Sequence, residues 1–325
     1  VLVGIARLAA QSVSLKAKRE VEYLRLPSRS ILNRCSNPKM PFKWTVNPYR
    51  GCEFGCKYCY ARYTHEFMGL EDGRLFEEKI YAKEDAARLL RADLKRDGGD
   101  GGIAIGTSTD PYQPAERRYG LTRALLEVLA EQHGRSISIT TKSDLAARDA
   151  ELLLRLGRRN DVSVNMTVTT LDAELARKLE PRAPRPDLRL AAVGKLAEAG
   201  VAVGVFASPV LPVITSRREN LAAVASAAKR AGATYFGAGT LFLMPSAQQQ
   251  FFPFLDEEFP ALAGQYRKQF ERNAYLRGEY AERLHARVRE IREEQGLDSG
   301  PPTTARGRPA DQLSLFDSNL DSNVG

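Results

Sequence analysis

The stretch NPYRGCEFGCKYCYARYTHEF, residues 47–67, carries three of the chain's four cysteines. Cys52, Cys56 and Cys59 stand in a C-x3-C-x2-C spacing, a loop short enough to aim three thiolates at one point. A structural zinc site closes with four protein ligands, commonly as two pairs, whereas an iron–sulfur cube held by three cysteines leaves one iron open to an exogenous ligand. The spacing therefore favours an active cluster over a zinc knuckle. Cys35, the remaining thiol, lies well upstream without a paired partner and reads as a small buried apolar residue. Gly51 and Gly55 supply the backbone freedom and close approach needed to wrap a loop around a bulky inorganic group.

Outward from this loop, the runs GGIAIGTSTD, SISITTKSD, VSVNMTVTT, VAVGVFASPV and ATYFGAGTLFL alternate with LTRALLEVLAEQ, LAARDAELLLRL, LDAELARKLE, LRLAAVGKLAEAG and RENLAAVASAAKRAG. The first set is short and rich in β-branched residues; the second places apolar residues at three- and four-residue steps. This is the pattern of parallel strands joined by crossover helices. With a strand around KWTVNPY it makes six βα units, which suits an open, partial barrel and also a doubly wound sheet. Polar residues gather where the apolar runs end: Thr107, Ser108, Thr109 and Asp110; Thr141, Lys142 and Ser143; Asn165 and Thr167; Ser208. That edge binds ligands in parallel α/β folds, although some of these residues, with Asp144 and Asp172, also read as helix caps.

The organisation expected is an N-terminal extension over 1–40, an α/β barrel over 41–250, a helical segment over 251–298 and a tail over 299–325. In the helical segment Leu276, Tyr280, Leu284, Val288 and Ile291 recur on one face, and arginines interleaved with glutamates form a solvated, salt-paired side. The tail is rich in Ser, Pro, Gly and Asn and should not pack as a domain. A chain of 325 residues supports such a core without disulfide staples. Crowded rather than scattered cysteines, and a beginning without a basic then apolar leader, predict a reducing cytoplasm. The longest apolar run, from Val201, is too short to span a bilayer and carries two prolines, so no membrane segment is expected. The net charge of +8 favours polyanionic partners.

The cysteine motif, with an aromatic before its last member and a place after the first strand of a βα series, resembles the radical S-adenosylmethionine (SAM) superfamily. The fuller string NPYRGCEFGCKYCYAR, with TDPYQPAE (109–116), TKSDLAARD (141–149) and EPRAPRPDLRL (180–190), is similar to the spore photoproduct lyase-related, DNA repair photolyase-like branch. The resemblance implies an α/β fold, a partial (β/α)6 TIM-like barrel of the radical SAM type with a C-terminal helical extension. It implies a [4Fe–4S] cluster on Cys52, Cys56 and Cys59, with SAM chelated at the open iron. One electron from an external donor would then cleave the cofactor, and a 5′-deoxyadenosyl radical would abstract hydrogen from substrate. On the same footing Tyr58 and Tyr60 would pack near cluster or adenine, Lys142 would reach the cofactor carboxylate, and Ser108 and Asn165 would add hydrogen bonds. Asp110, Tyr112, Gln113 and Glu116 would sit on the loop after the second strand and face substrate. One departure limits the analogy: the branch carries a hydrogen-donating cysteine at the end of its second strand, where this chain reads IAIGTSTDP. Tyr112 is the candidate substitute donor.

In the tail, QLSLF resembles the short peptide by which bacterial repair proteins dock onto the DNA sliding clamp. Gln312 would anchor the entry, and Leu313, Leu315 and Phe316 would supply the apolar contact. The expected function is a radical SAM enzyme acting on nucleic acid, DNA before RNA. The alternatives are radical modification of tRNA or protein, and a non-catalytic iron–sulfur or zinc adaptor associated with DNA.

Overall fold

The computed structural model describes residues 3–18, 21–38, 40–97 and 101–302. The strands β1 (Trp44–Val46), β2 (Ile103–Ile105), β3 (Ser136–Thr141), β4 (Asp161–Thr167), β5 (Ala202–Val210) and β6 (Tyr235–Thr240) lie side by side in chain order. Each is parallel to the next. Leu32–Arg34 adds one antiparallel strand beyond β1. This is the partial barrel, and the parallel register along one unbroken strand order decides it against a doubly wound sheet, in which the order reverses.

The crossover helices are α1 (Ala86–Asp97), α2 (Leu121–Ala130), α3 (Ala150–Gly157), α4 (Pro186–Glu198) and α5 (Arg218–Arg230). Their apolar stripes pack on one side of the sheet, and in β3 (SISITT) and β4 (DVSVNMT) apolar residues alternate with polar ones, as suits a sheet with one apolar face. Ile103, Ile105, Ile137, Ile139, Val164, Val203 and Val205 meet Leu125, Leu129, Leu152, Leu156, Leu196 and Leu221 in one core. Each such side chain contributes about 1.5–3 kcal/mol on leaving water.

Beyond β6 come α6 (Pro245–Glu258), α7 (Pro260–Phe270) and α8 (Glu279–Gln295). These do not form a layer of their own. Leu284, Val288 and Ile291 of α8 belong to the barrel core, where the helix packs on α5 and β6. The chain then runs beside β6, with Phe236 N–H donating to the Asp298 carbonyl at 3.0 Å. On the opposite face of α8, Arg283 pairs with Glu279, while Arg292 is buried rather than solvated. Helices α6 and α7 pack instead against the cysteine loop through Phe251, Phe254, Tyr266 and Phe270.

The N-terminal segment supplies part of a second sheet, in the order Val13–Lys18, Val21–Arg25, Lys79–Ala82, Tyr49–Arg50. Its last two members flank the cysteine loop in sequence. Ser299, Gly300 and Pro301 line a small cavity at the other end of the barrel with Gly102, Ser136 and Ser163 from the strand starts. Gln312, Leu313, Leu315 and Phe316 lie outside the described residues. Among the described residues no helix is long and apolar enough to cross a membrane.

Candidate functional site

A cavity of about 260 Å³ opens over the C-terminal ends of β1–β6. Its lining contains Cys52, Cys56 and Cys59 together with Tyr58 and Tyr60, and, from the strand ends, Thr107–Asp110, Thr140–Lys142, Asn165, Thr167, Ser208 and Thr240. The expected polar edge therefore converges on the expected cysteine loop. Ser143 is the exception: its hydroxyl accepts from Leu145 N–H at 3.3 Å and caps the following turn. Asp172 likewise caps the next helix, accepting from Glu174 and Leu175 N–H.

The loop is held from several sides. Cys52 N–H donates to the Phe76 carbonyl, Lys57 N–H to the Leu179 carbonyl and Arg182 N–H to the Phe54 carbonyl. Gly51 has φ +80°, and a Cβ there would lie 2.6 Å from the Lys79 carbonyl and 2.7 Å from that of Phe76, so only glycine lets the loop turn against the second sheet. Gly55 also has positive φ, but around it there is room for a Cβ. Gly106 plays the same part on the facing wall: at φ +93° its Cβ would stand 2.6 Å from the Thr140 carbonyl. Arg62, 1% exposed, donates to the Cys56 carbonyl at 3.0 Å and the Gly73 carbonyl at 2.6 Å, and pairs with Glu77 at 2.6 Å.

A buried charge group underlies the loop and accounts for the EPRAPRPDLRL stretch. The Tyr58 hydroxyl donates to Glu180, and Glu180 pairs with Arg189 at 2.5 Å. Arg189 in turn donates to the Thr167 carbonyl at 3.1 Å. Burial alone would raise the Glu180 carboxyl, but Arg189 and Lys142 hold it below the usual carboxylate range. The Lys142 ammonium stands 5.7 Å from the centre of the Tyr58 ring. Burial works against its charge, and the neighbouring Cys56 and Glu180 outweigh that and hold its pKa up.

Burial pushes the Cys56 thiol up to about 12, with Lys142 acting in the other direction. Cys52 is raised by burial and then by Asp110, and Cys59 by burial against the pull of Arg62 and Lys142. Left to themselves these thiols keep their protons, so a metal group that binds them must displace protons as it enters. Among the described residues no three His, Cys, Asp or Glu side chains close on a single ion; the three thiols share a cavity wall instead.

Several expected site residues take other places. Tyr112 is 1% exposed in the barrel core and is not among the cavity-lining residues; burial, and then Asp149, raise its phenol. The placement does not bring it to a substrate. Gln113 and Glu116 are fully buried. Gln113 donates to the Gly51 carbonyl at 2.9 Å and accepts from Glu53 N–H at 3.0 Å, bracing the cysteine loop. Glu116 gathers the Tyr49 hydroxyl at 2.6 Å, Thr122 N–H at 2.8 Å and Arg148 at 3.1 Å. Asp110 does line the cavity, but its oxygens accept from Thr141 at 2.6 Å, Lys142 N–H at 2.7 Å and Tyr112 N–H at 2.9 Å. It ties the ends of β2 and β3 together rather than presenting a free base.

Asn165 accepts from the Tyr235 hydroxyl at 2.7 Å and donates to Thr140 at 3.3 Å. The Tyr60 hydroxyl donates to the Thr107 carbonyl. Ser108 N–H donates to Asn47 at 2.9 Å, which fixes its backbone at the cavity edge. Cys35, expected to be buried, is half-exposed and outside the cavity lining.

A family model described as the Radical SAM superfamily matches residues 46–225, from the end of β1 into α5. The chain belongs to the radical SAM superfamily. "Uncharacterized protein Rv2578c" of Mycobacterium tuberculosis is 34% identical over 322 residues, covering 97% of this chain and 94% of that protein. "Uncharacterized protein MJ0683" of Methanocaldococcus jannaschii is 28% identical over 193 residues, covering 59% of this chain and 69% of that protein. Among solved structures, spore photoproduct lyase complexed with dinucleoside spore photoproduct superposes with a TM-score of 0.62 at 16% identity, over 84% of this chain and 79% of that one. Streptococcus suis SuiB bound to S-adenosylmethionine gives 0.50 at 16% identity, over 77% of this chain and 47% of that one. At these identities the structural likenesses speak for the radical SAM fold. Sequence reasoning missed Phe206, Thr240 and Phe242 on the cavity wall of this radical SAM barrel, and Arg62 behind the loop. Phe242 is the last residue but one of the apolar run ATYFGAGTLFL, close to where a strand-end residue was due, and that was its only signal.

Proposed function

We propose that the chain is a radical SAM enzyme that holds a [4Fe–4S] cluster on Cys52, Cys56 and Cys59 and acts on nucleic acid, DNA before RNA. The observation that carries the reading is the meeting of three thiols, Cys52 and Cys56 buried and Cys59 half-buried, with the polar strand ends in one cavity. The donor set fits the groups: three thiols leave one iron position open, and beside them stands an ammonium, Lys142, over the Tyr58 ring and near Cys56 and Glu180. When bound, cluster and SAM together supply one-electron cleavage that yields a 5′-deoxyadenosyl radical.

This chain's own part is positioning. Lys142 would receive the carboxylate of SAM as a point charge. Ser108 and the hydroxyls around it would take the remaining polar groups. Arg62 and Gln113 would fix the loop backbone, and the Tyr58–Glu180–Arg189 group would keep its underside dry and charge-balanced. The DNA reading rests on the net charge of +8 and on the fold shared with a lyase whose solved complex contains a dinucleoside photoproduct. A second reading, modification of a peptide or of tRNA, draws on the likeness to SuiB, solved bound to precursor peptide SuiA.

The test is anaerobic reconstitution of the full chain with iron and sulfide. Its reduced paramagnetic resonance spectrum is recorded with and without SAM, and 5′-deoxyadenosine is then assayed. A spectrum that changes on adding SAM, with product release, is expected; a silent protein, or one that holds only zinc, overturns the proposal. Ultraviolet-damaged single-stranded DNA should then raise product output above the substrate-free rate. A rise with tRNA or peptide and none with DNA moves the substrate to those classes.

A further inference from the structure

Past the mouth of the cavity the wall continues as a run of aromatic rings. The Tyr60 ring, on the residue after Cys59, lies 5.6 Å from Phe242. Phe242 lines the cavity, while Tyr275 does not. The two rings are stacked, 4.0 Å between centroids and 17° from parallel. They are locked there by an antiparallel bridge and by Leu243 N–H donating to the Ala274 carbonyl at 2.8 Å. The Arg277 guanidinium stands 5.8 Å from the Tyr275 centroid, with no carboxylate partner among the described residues. Nearby charges are accounted for on the same segment: Glu279 is engaged by Arg283, and Glu271 and Arg272 are exposed. The Tyr275 phenol also lies within electrostatic reach of Tyr63. Tyr63 meets Phe67 edge-on at 5.6 Å, and Phe67, 58% exposed, is the one Phe, Tyr or Trp among the described residues that is open to solvent rather than buried or half-buried.

Flat rings beside an unpaired guanidinium are the elements with which proteins hold unpaired bases: the ring takes the base face and the cation takes the phosphate. We propose that Phe242 and Tyr275, with Arg277, form a stacking shelf for a nucleobase adjoining the nucleotide that enters the cavity. This makes the substrate a single strand or a nucleotide flipped from a duplex. The guanidinium covers the Tyr275 face until a phosphate draws it aside. The inference rests on the nucleic-acid reading above and narrows it to an unstacked strand with one base held on the shelf beside the cavity mouth.

The test uses the full chain, reconstituted anaerobically and saturated with SAM, and a short oligothymidylate carrying one 2-aminopurine, whose emission falls when it stacks on a ring. Wild type and Tyr275→Phe should bind and quench alike. Tyr275→Leu, which stays apolar and removes the ring, should lose the quench and bind about 5- to 150-fold more weakly. Arg277→Gln, at an exposed position, should lower the salt slope of binding by about 1. Equal affinity and equal quench in Tyr275→Leu overturn the shelf, as does an unchanged salt slope in Arg277→Gln for its cation. Failure of the wild type to bind also overturns it. In that case 5′-deoxyadenosine from the same sample shows whether the radical SAM reading stands without a nucleic-acid ligand.

Discussion

The barrel core and the core around the cysteine loop are built from different residues for a geometric reason. Between sheet and helices the filling is mostly Ile, Val, Leu and Ala, drawn from strands and helices whose spacing repeats. Around the loop large rings join the leucines: Phe54, Tyr58, Phe76, Phe251, Phe254, Tyr266 and Phe270, drawn from segments far apart in the chain. Branched aliphatic side chains interdigitate well where the backbone presents them at regular intervals. An irregular loop offers no such intervals, and a few large rings fill its uneven space with much apolar area each. The Phe251 ring meets Tyr266 edge-on and stacks with Phe254.

This contrast can be broken or sharpened by experiment. The largest effect is expected from Cys56→Ala. It should abolish the cluster signal and, by amide hydrogen exchange, loosen residues 52–76 and 245–270 while β2–β5 keep their protection. A uniform rise would mean that the two cores are one cooperative unit. Next comes Arg189→Met, which leaves Glu180 buried without its cation; urea unfolding should register a loss of about 3–5 kcal/mol. A loss below about 1 kcal/mol would make the pair no stronger than a surface one and remove it as a brace.

His65 supplies a pH test. It is fully buried on the loop side, donating Nε2–H to the Lys79 carbonyl at 3.2 Å. Burial lowers its pKa from 6.5 to about 4. The unfolded chain therefore takes the proton first: the stability is complete above pH 6.5 and is lost as pH falls toward 4, about 3 kcal/mol in all. His65→Gln should flatten that slope between pH 6.5 and 4, and an unaltered slope would assign acid sensitivity to other groups. The smallest effect is expected in the barrel core. Ile139→Val should cost about 0.5–1.5 kcal/mol and leave 5′-deoxyadenosine output unchanged, whereas a fall in output would tie barrel packing directly to the site.

The two cores also differ in how far they can be read from sequence. The strands and most crossover helices follow from periodicity because each buries a repeating face, and the polar residues at the strand ends led to the right edge of the sheet. Periodicity alone left barrel and doubly wound sheet open; the cysteine motif pointed to the barrel. What escaped was side-chain direction on the loop after β2. Its DPYQPAE run looks like a row of substrate-facing groups. Yet Asp110 spends its oxygens on Thr141 and backbone N–H groups, Gln113 turns under Gly51 and Tyr112 enters the core. Polar identity marks a loop as important and does not distinguish a brace from a ligand. Arg62 escaped for a related reason: one arginine in a basic chain carries no sign of being buried until the carbonyls that receive it are in place.

The brace beneath the cysteine loop has a consequence for the order of events in the cell. Tyr58 and its partner Glu180 are 122 residues apart in the chain. At ribosomal rates of about 5–20 residues per second, the partner follows the loop by roughly 6–24 s. Through that interval Cys52, Cys56 and Cys59 have been made, with Arg62, Phe76 and Gln113 after them, while Glu180, Arg189 and the rings of α6 and α7 have not. The thiols are then at their most accessible to iron delivery and to oxidation alike, and the arrival of Glu180 and Arg189, followed by the rings of α6 and α7, narrows both opportunities together.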